Sequence, residues 1–141
     1  MRWMLDTDTC IALIKRQPDG AIRKLRGKSL GQVGVSAITV SELSDGTVRS
    51  ARPEQNRLAL QEFLLALELA AYDYAAALAY GQVRRALERI GTPIGSMDLL
   101  IAAHALASDC ILVTHNVIEF ARVEGLRLED WVGNPGGSHG G

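Results

Sequence analysis

At 141 residues the chain is most naturally a single domain, long enough to remove roughly 70% of its unfolded surface from water. Its 48% hydrophobic and 22% charged content is ordinary for a globular protein, and no charge-free run nears the ~20 residues that span a bilayer. A net charge of −1 excludes a global basic field for nucleic acid or membrane, so a polyanionic partner must be held by local arginines. Only Lys15, Lys24 and Lys28 are lysines; the remaining basic residues are Arg. Cys10 and Cys110 lie far apart in apolar surroundings, which fits two small buried hydrophobes rather than a metal knuckle or a disulfide framework. No segment reads as a signal peptide, and the cytoplasm is the expected compartment.

Residues 2–6 predict a short first strand, after which Thr7 or Asp8 can cap a helix running to about Arg16. Gln17-Pro18-Asp19-Gly20 is a turn, and a basic amphipathic helix follows it. Residues 32–36 read as a second strand. Thr39-Val40-Ser41-Glu42 then has the capping-box pattern, predicting a helix from there to about Ser50. Pro53 suits the first turn of the next helix, a short strand is expected near 68–71, and residues 73–90 form a long helix rich in small side chains. Gly91-Thr92-Pro93-Ile94-Gly95 breaks the pattern. From Ser96 a helix apolar on nearly every side is predicted, and Cys110 to Thr114 is an apolar strand of the doubly covered, parallel kind. A short helix from Asn116 to about Arg122 and a final edge strand at Leu126–Leu128 complete a domain over residues 1–132; the Gly-rich stretch 133–141 has nothing to bury and is expected to be a flexible tail. Strands alternating with helices predict an α/β fold with a central parallel sheet of four or five strands covered on both faces.

Four acids follow strand ends or open helices: Asp6, Glu42, Asp98 and Glu119, with Asp8 close to the first. Each has a local explanation. Glu42 can complete a capping box with Thr39, Glu119 can do the same with Asn116, and Asp98 can be a first-turn acid favoured by the helix dipole. In a parallel sheet with right-handed crossovers, however, all of these positions fall at the same carboxyl edge. Two carboxylates ~5 Å apart repel by roughly 3 kcal/mol at an effective dielectric near 20, so such a cluster calls for protons or a cation. Oxygen-only donors favour Mg²⁺ or Mn²⁺ over Zn²⁺, and such an ion suits phosphodiester hydrolysis.

The chain resembles the PIN-domain ribonucleases, and within them the VapC toxins of bacterial toxin–antitoxin pairs. The resemblance covers about residues 3–132. It rests on Met4-Leu5-Asp6-Thr7-Asp8, on Ser36 to Leu43 with Gly46, on Gly91 to Gly95 leading into Asp98 to Ala105, and on Leu112 to Asn116 with Glu119-Phe120 and Glu129-Asp130-Trp131. It implies a PIN-like three-layer fold with Asp6, Glu42 and Asp98 as metal-binding acids and Glu119 in the less fixed fourth acidic place, Asn116 beside it. Many relatives carry Asn where this chain has Asp8, which adds negative charge next to the site. The implied substrate is structured RNA, with the tRNA anticodon loop foremost, and the implied partners are a VapB-type antitoxin covering the acidic pocket and a second copy of the chain.

Arg49, Arg52 and Arg57, or Arg84, Arg85 and Arg89, are the candidates for binding RNA, although solvated helix faces explain them equally well. Thr7, Ser41 and Thr114 can orient ligands or serve as caps. His104 reads as a satisfied boundary residue, and His115 as loop filling or a substrate contact. Two rivals remain. Asp6-Thr7-Asp8-Thr9 also fits the opening of haloacid-dehalogenase-like phosphatases, but no lysine follows residue 28 to hold their phosphate. A PIN-like scaffold that binds RNA or a partner without cutting is the other.

Overall fold

The computed structural model describes residues 1–133, so most of the expected 133–141 tail lies outside the described residues. The chain alternates β1 (Trp3–Leu5), α1 (Thr7–Lys15), α2 (Asp19–Arg26), β2 (Val33–Ser36), α3 (Ala37–Arg49), α4 (Pro53–Leu64) and β3 (Glu68–Ala70). It continues with α5 (Tyr74–Arg89), α6 (Ser96–Ala107), β4 (Ile111–Val113), α7 (Val117–Phe120) and β5 (Leu128–Glu129). The strands make one five-stranded sheet in the order β3-β2-β1-β4-β5, parallel throughout, as the alternation predicts.

The sheet is covered on both faces because its short strands are apolar on both. Met4 and Leu112 point into one core with Leu87, Leu99, Ile101, Ala102 and Phe120; their neighbours Leu5 and Val113 point into another with Cys10, Leu13, Val35, Leu43 and Trp131. Successive side chains of a strand face opposite ways, so this division makes three layers. The first core is closed by α5 and α6, whose small residues let the two helices pack closely, and the second by α1, α3 and α4. Both cysteines are buried and free, as expected of small hydrophobes. Gly34 is required where β2 passes beneath the N-terminus: a Cβ there would collide with the Met1 sulfur and the Glu68 carbonyl.

Two helix starts differ from the sequence-based expectation. Asp6 itself, rather than Thr7 or Asp8, caps α1, its carboxylate accepting the Thr9 N–H at 2.9 Å. The helix carrying Glu42 starts at Ala37 and is capped by Ser36, whose hydroxyl accepts the Ile38 N–H at 3.0 Å. Thr39 is therefore inside the helix, fully buried, and Glu42 is not spent on a capping box. The sequence pattern is ambiguous here because Ser36 and Thr39 are both good caps three residues apart; strand pairing of Val35 and Ser36 with β3 selects the earlier one. The last strand is also shifted, to Leu128–Glu129, where it pairs with Leu112 and Val113.

Candidate active site

The chain leaves β1 toward one side of the sheet to build β2 and β3, then returns to lay β4 and β5 on the other. Ligand crevices in open parallel sheets form outside the strand carboxyl ends where the strand order reverses, here between β1 and β4. Asp6 follows β1 at that point and Thr114 follows β4. The Asp6 N–H donates to the Val113 carbonyl at 3.0 Å, tying the two strand ends together. Thr9, which the sequence does not single out, reinforces the corner through its hydroxyl, donating to the same carbonyl at 3.2 Å.

Asp6 is only 5% exposed. Burial pushes its carboxyl above the usual range, and hydrogen bonds from Thr114 and Thr9 work against that rise. One carboxylate oxygen is taken by the α1 cap, so the other is the one left to meet a ligand. Glu42 sits half-buried on α3 and accepts a short hydrogen bond from the Thr7 hydroxyl, which fixes it beside the Asp6 corner.

Asp98 opens α6, half-buried. Its carboxyl is pushed up to about 7, first by burial, then by a hydrogen bond to Glu119 and by the charges of Glu119, Glu42 and Asp6. Glu119 on α7 is held from two sides, accepting the Asn116 side-chain N–H at 3.0 Å and the Gly95 N–H at 3.3 Å. Burial pushes Glu119 up, but hydrogen bonds from Asn116, Asp98 and Gly95 and the charge of Arg122 outweigh it and leave its pKa below the usual glutamate value. Of this pair, Asp98 is the one that keeps its proton to higher pH. Thr114, fully buried, accepts the Asn116 N–H at 2.9 Å and so positions the residue that holds Glu119. Arg122 and the Gly95 amide are further contributors not evident from sequence. Glu119 and Arg122 lie one turn apart, but the approach of Gly95 to Glu119 depends on the whole α5–α6 connection.

The structure therefore brings Asp6, Glu42, Asp98 and Glu119 into one field. Asp8 stands apart, exposed on the first turn of α1, and reaches the cluster only as a weak charge on Asp6. Arg49 lies seven residues beyond Glu42, ~10 Å along α3, and pairs with Asp45 at 2.9 Å. Arg84 and Arg85 are exposed on α5, and Arg84 pairs with Glu88 at 3.2 Å. His104 is not at a boundary but 2% exposed, with its Nδ1 2.7 Å from the Ser36 hydroxyl. His115 faces Asp130 at 3.0 Å.

Among the described residues, no three Asp, Glu, His or Cys side chains are placed so that together they could hold a metal ion. The acids offer only oxygen donors. That suits a small hard cation, which keeps several waters and takes one or two carboxylates, and it does not suit a tetrahedral zinc site. Among the described residues no helix is long and apolar enough to cross a membrane.

Comparison with known proteins gives the same assignment. The PIN domain family model matches residues 3–126. The tRNA(fMet)-specific endonuclease VapC of Salmonella typhimurium is 41% identical over 131 residues, covering 93% of this chain and 98% of that protein. Ribonuclease VapC2 of Rickettsia felis is 39% identical over 132 residues, covering 93% and 98%. The DNA-bound VapBC structure from Salmonella typhimurium superposes with a TM-score of 0.88 at 41% identity, again over 93% of this chain and 98% of that one. The chain belongs to the PIN-domain family, in its VapC ribonuclease branch.

Proposed function

We propose that this protein is a Mg²⁺- or Mn²⁺-dependent endoribonuclease toxin that hydrolyses structured RNA to stop translation, and that a VapB-type antitoxin restrains it. The observation that carries this reading is that half-buried Asp98 faces Glu119, Glu42 and Asp6, so that burial and their charges together push its carboxyl up to about 7. Acids so arranged bind a divalent cation by exchanging a bound proton for it. Asp6, Glu42 and Asp98 would hold the ion, which when bound stabilises charge on a phosphoryl oxygen and makes water a better nucleophile. Thr7 orients Glu42, while Thr114 and Asn116 orient Glu119. Glu119, the ionised member of its pair, is assigned the proton given up by the attacking water.

The substrate reading follows the 41%-identical relative: RNA cut in a tRNA, with the anticodon loop of the initiator tRNA as the first candidate. For the antitoxin, α1, α3 and α4 border an apolar groove of about 370 Å³ lined by Ile11, Ile14, Gly46, Ala59 and Leu60, with Glu42 at its rim. A partner seating apolar side chains there can reach the acids with one basic group. A second copy of the chain has an apolar surface available on α5, where Tyr74 and Leu78 lie one turn apart and exposed.

Incubation with total tRNA and Mg²⁺, with and without EDTA and alongside Asp6→Ala, tests the reading. Cleavage should vanish on chelation and in the variant. Cleavage that survives both refutes the metal mechanism, RNA binding without cleavage favours the scaffold, and phosphate released from a phosphomonoester favours the phosphatase.

A further inference from the structure

A small cleft of about 140 Å³ lies on the far side of the segment that carries Asp98. One wall is a stripe of α5, Tyr80, Arg84, Leu87 and Glu88, at the helical spacing that puts side chains on one face. The other wall is Pro93 and Ile94 of the connection together with Ser96 and Leu99 of the first turn of α6. Leu87 and Leu99 are core residues, 3% and 7% exposed, so the floor is apolar, while the rim carries donors and acceptors. The space is well below the roughly 300–1,000 Å³ of a drug-sized ligand site and is on the scale of one heteroaromatic ring.

The rim is preorganised. Arg84 donates from Nη1 to the Tyr80 hydroxyl at 2.9 Å and from Nε to Glu88 at 3.2 Å. These bonds fix the guanidinium plane and leave both Nη2 hydrogens and one on Nη1 available. An aromatic ring and a fixed guanidinium over an apolar floor are the surfaces on which an unstacked base is held.

The cleft is also tied to the acids. The connecting segment is pinned from the acidic side, with the Gly95 N–H on Glu119 and the Pro93 carbonyl accepting from Arg122 at 3.2 Å. Ser96 and Leu99 face the cleft, and Asp98 lies between them in sequence. The cleft and Asp98 thus share the first turn of α6.

We propose that this cleft is a nucleobase subsite, in which Tyr80, Arg84 and Glu88 hold one unstacked base of the RNA strand whose scissile phosphate lies at the acids. The proposal rests on the ribonuclease reading above and adds to it a specificity-determining site.

The test uses the full chain and whichever tRNA the wild-type protein cuts from total tRNA in Mg²⁺, with Tyr80→Ala and Arg84→Ala as variants. Each variant should raise KM roughly tenfold with kcat changed less than twofold, and unchanged melting temperatures establish that both fold. The same tRNA is then prepared with single abasic nucleotides around the cut. At one position within about two nucleotides of the cut, base removal should raise the wild-type KM severalfold yet leave that of Arg84→Ala unchanged. Variants with wild-type KM, or base removal that weakens wild type and Arg84→Ala equally at every position, overturn the subsite. Failure of the wild-type protein to cut any tRNA strikes instead at the ribonuclease reading.

Discussion

The Asp98 carboxyl, pushed up to about 7, keeps its proton well above the usual aspartate range in the metal-free protein, because burial and three neighbouring acids oppose its ionisation. An aspartate in the unfolded chain gives up its proton near 3.8. The folded state therefore binds the extra proton between about pH 4 and 7, and the stability that Asp98 contributes is complete below that window and lost as pH rises through it. Asp6 is shifted the same way by burial, whereas Glu119 is shifted down by its hydrogen bonds and the charge of Arg122. In EDTA, the wild-type protein should thus lose stability to denaturant between about pH 4 and 7. Asp98→Asn should show a shallower slope and exceed wild type at pH 8; equal slopes would mean that Asp98 ionises freely. In the same window Mg²⁺ should displace protons from the wild type. Calorimetry in two buffers of different ionisation enthalpy would read that release, which Asp98→Asn should reduce.

Among the elements, α3 shows how a local choice sets a functional residue. Had the helix started at Thr39, Glu42 would have closed a capping box and turned back on its own backbone. Starting at Ala37, it leaves Glu42 free to take the Thr7 hydroxyl. The Ser36 hydroxyl that makes this possible also meets the buried His104 at 2.7 Å, joining β2 to α6. Burial lowers the imidazole pKa against the opposing pull of Asp73 and of the Ala71 backbone, and a neutral ring that donates its other N–H to the Ala71 carbonyl leaves Nδ1 as the acceptor of the Ser36 proton. Ser36→Ala removes a cap worth about 1 kcal/mol and strands a buried acceptor at about 1–3 kcal/mol more. A total loss of about 2–4 kcal/mol in urea denaturation is expected. With His104→Leu the two changes should be less than additive; additive losses would show that the pair does not interact. None of this is legible in sequence, where Ser36 and Thr39 present the same hydroxyl and His104 reads as a satisfied boundary residue. What is legible is what needs only periodicity: strands alternating with helices, and hence acids at one sheet edge.

On the scale of the molecule, convergence at one edge follows from topology, and for that reason Asp6, Glu42, Asp98 and Glu119 can be named in advance. The surfaces around them depend on how layers close. The groove between α1, α3 and α4 belongs to this second kind, since its lining runs from Ile11 to Leu60, whereas the cleft beside α5 is built within the consecutive stretch from Tyr80 to Leu99 and depends on how α5 and α6 close on each other. Gly46 gives access to the groove separately from the chemistry. It lies within α3, lines the groove, and a Cβ added there meets nothing within 4 Å. Gly46→Leu should therefore leave the acids in place and improve helix propensity by roughly 0.5–1 kcal/mol. It should also fill the space that an apolar side chain of the antitoxin requires. The expected phenotype is a toxin that cuts tRNA at the wild-type rate yet resists neutralisation at least tenfold better when titrated with the antitoxin encoded by an adjacent small reading frame. Neutralisation at wild-type antitoxin concentrations would place the inhibitor elsewhere. Loss of cleavage in the free variant would instead show that the groove and the Glu42 side of the acid cluster are mechanically one site.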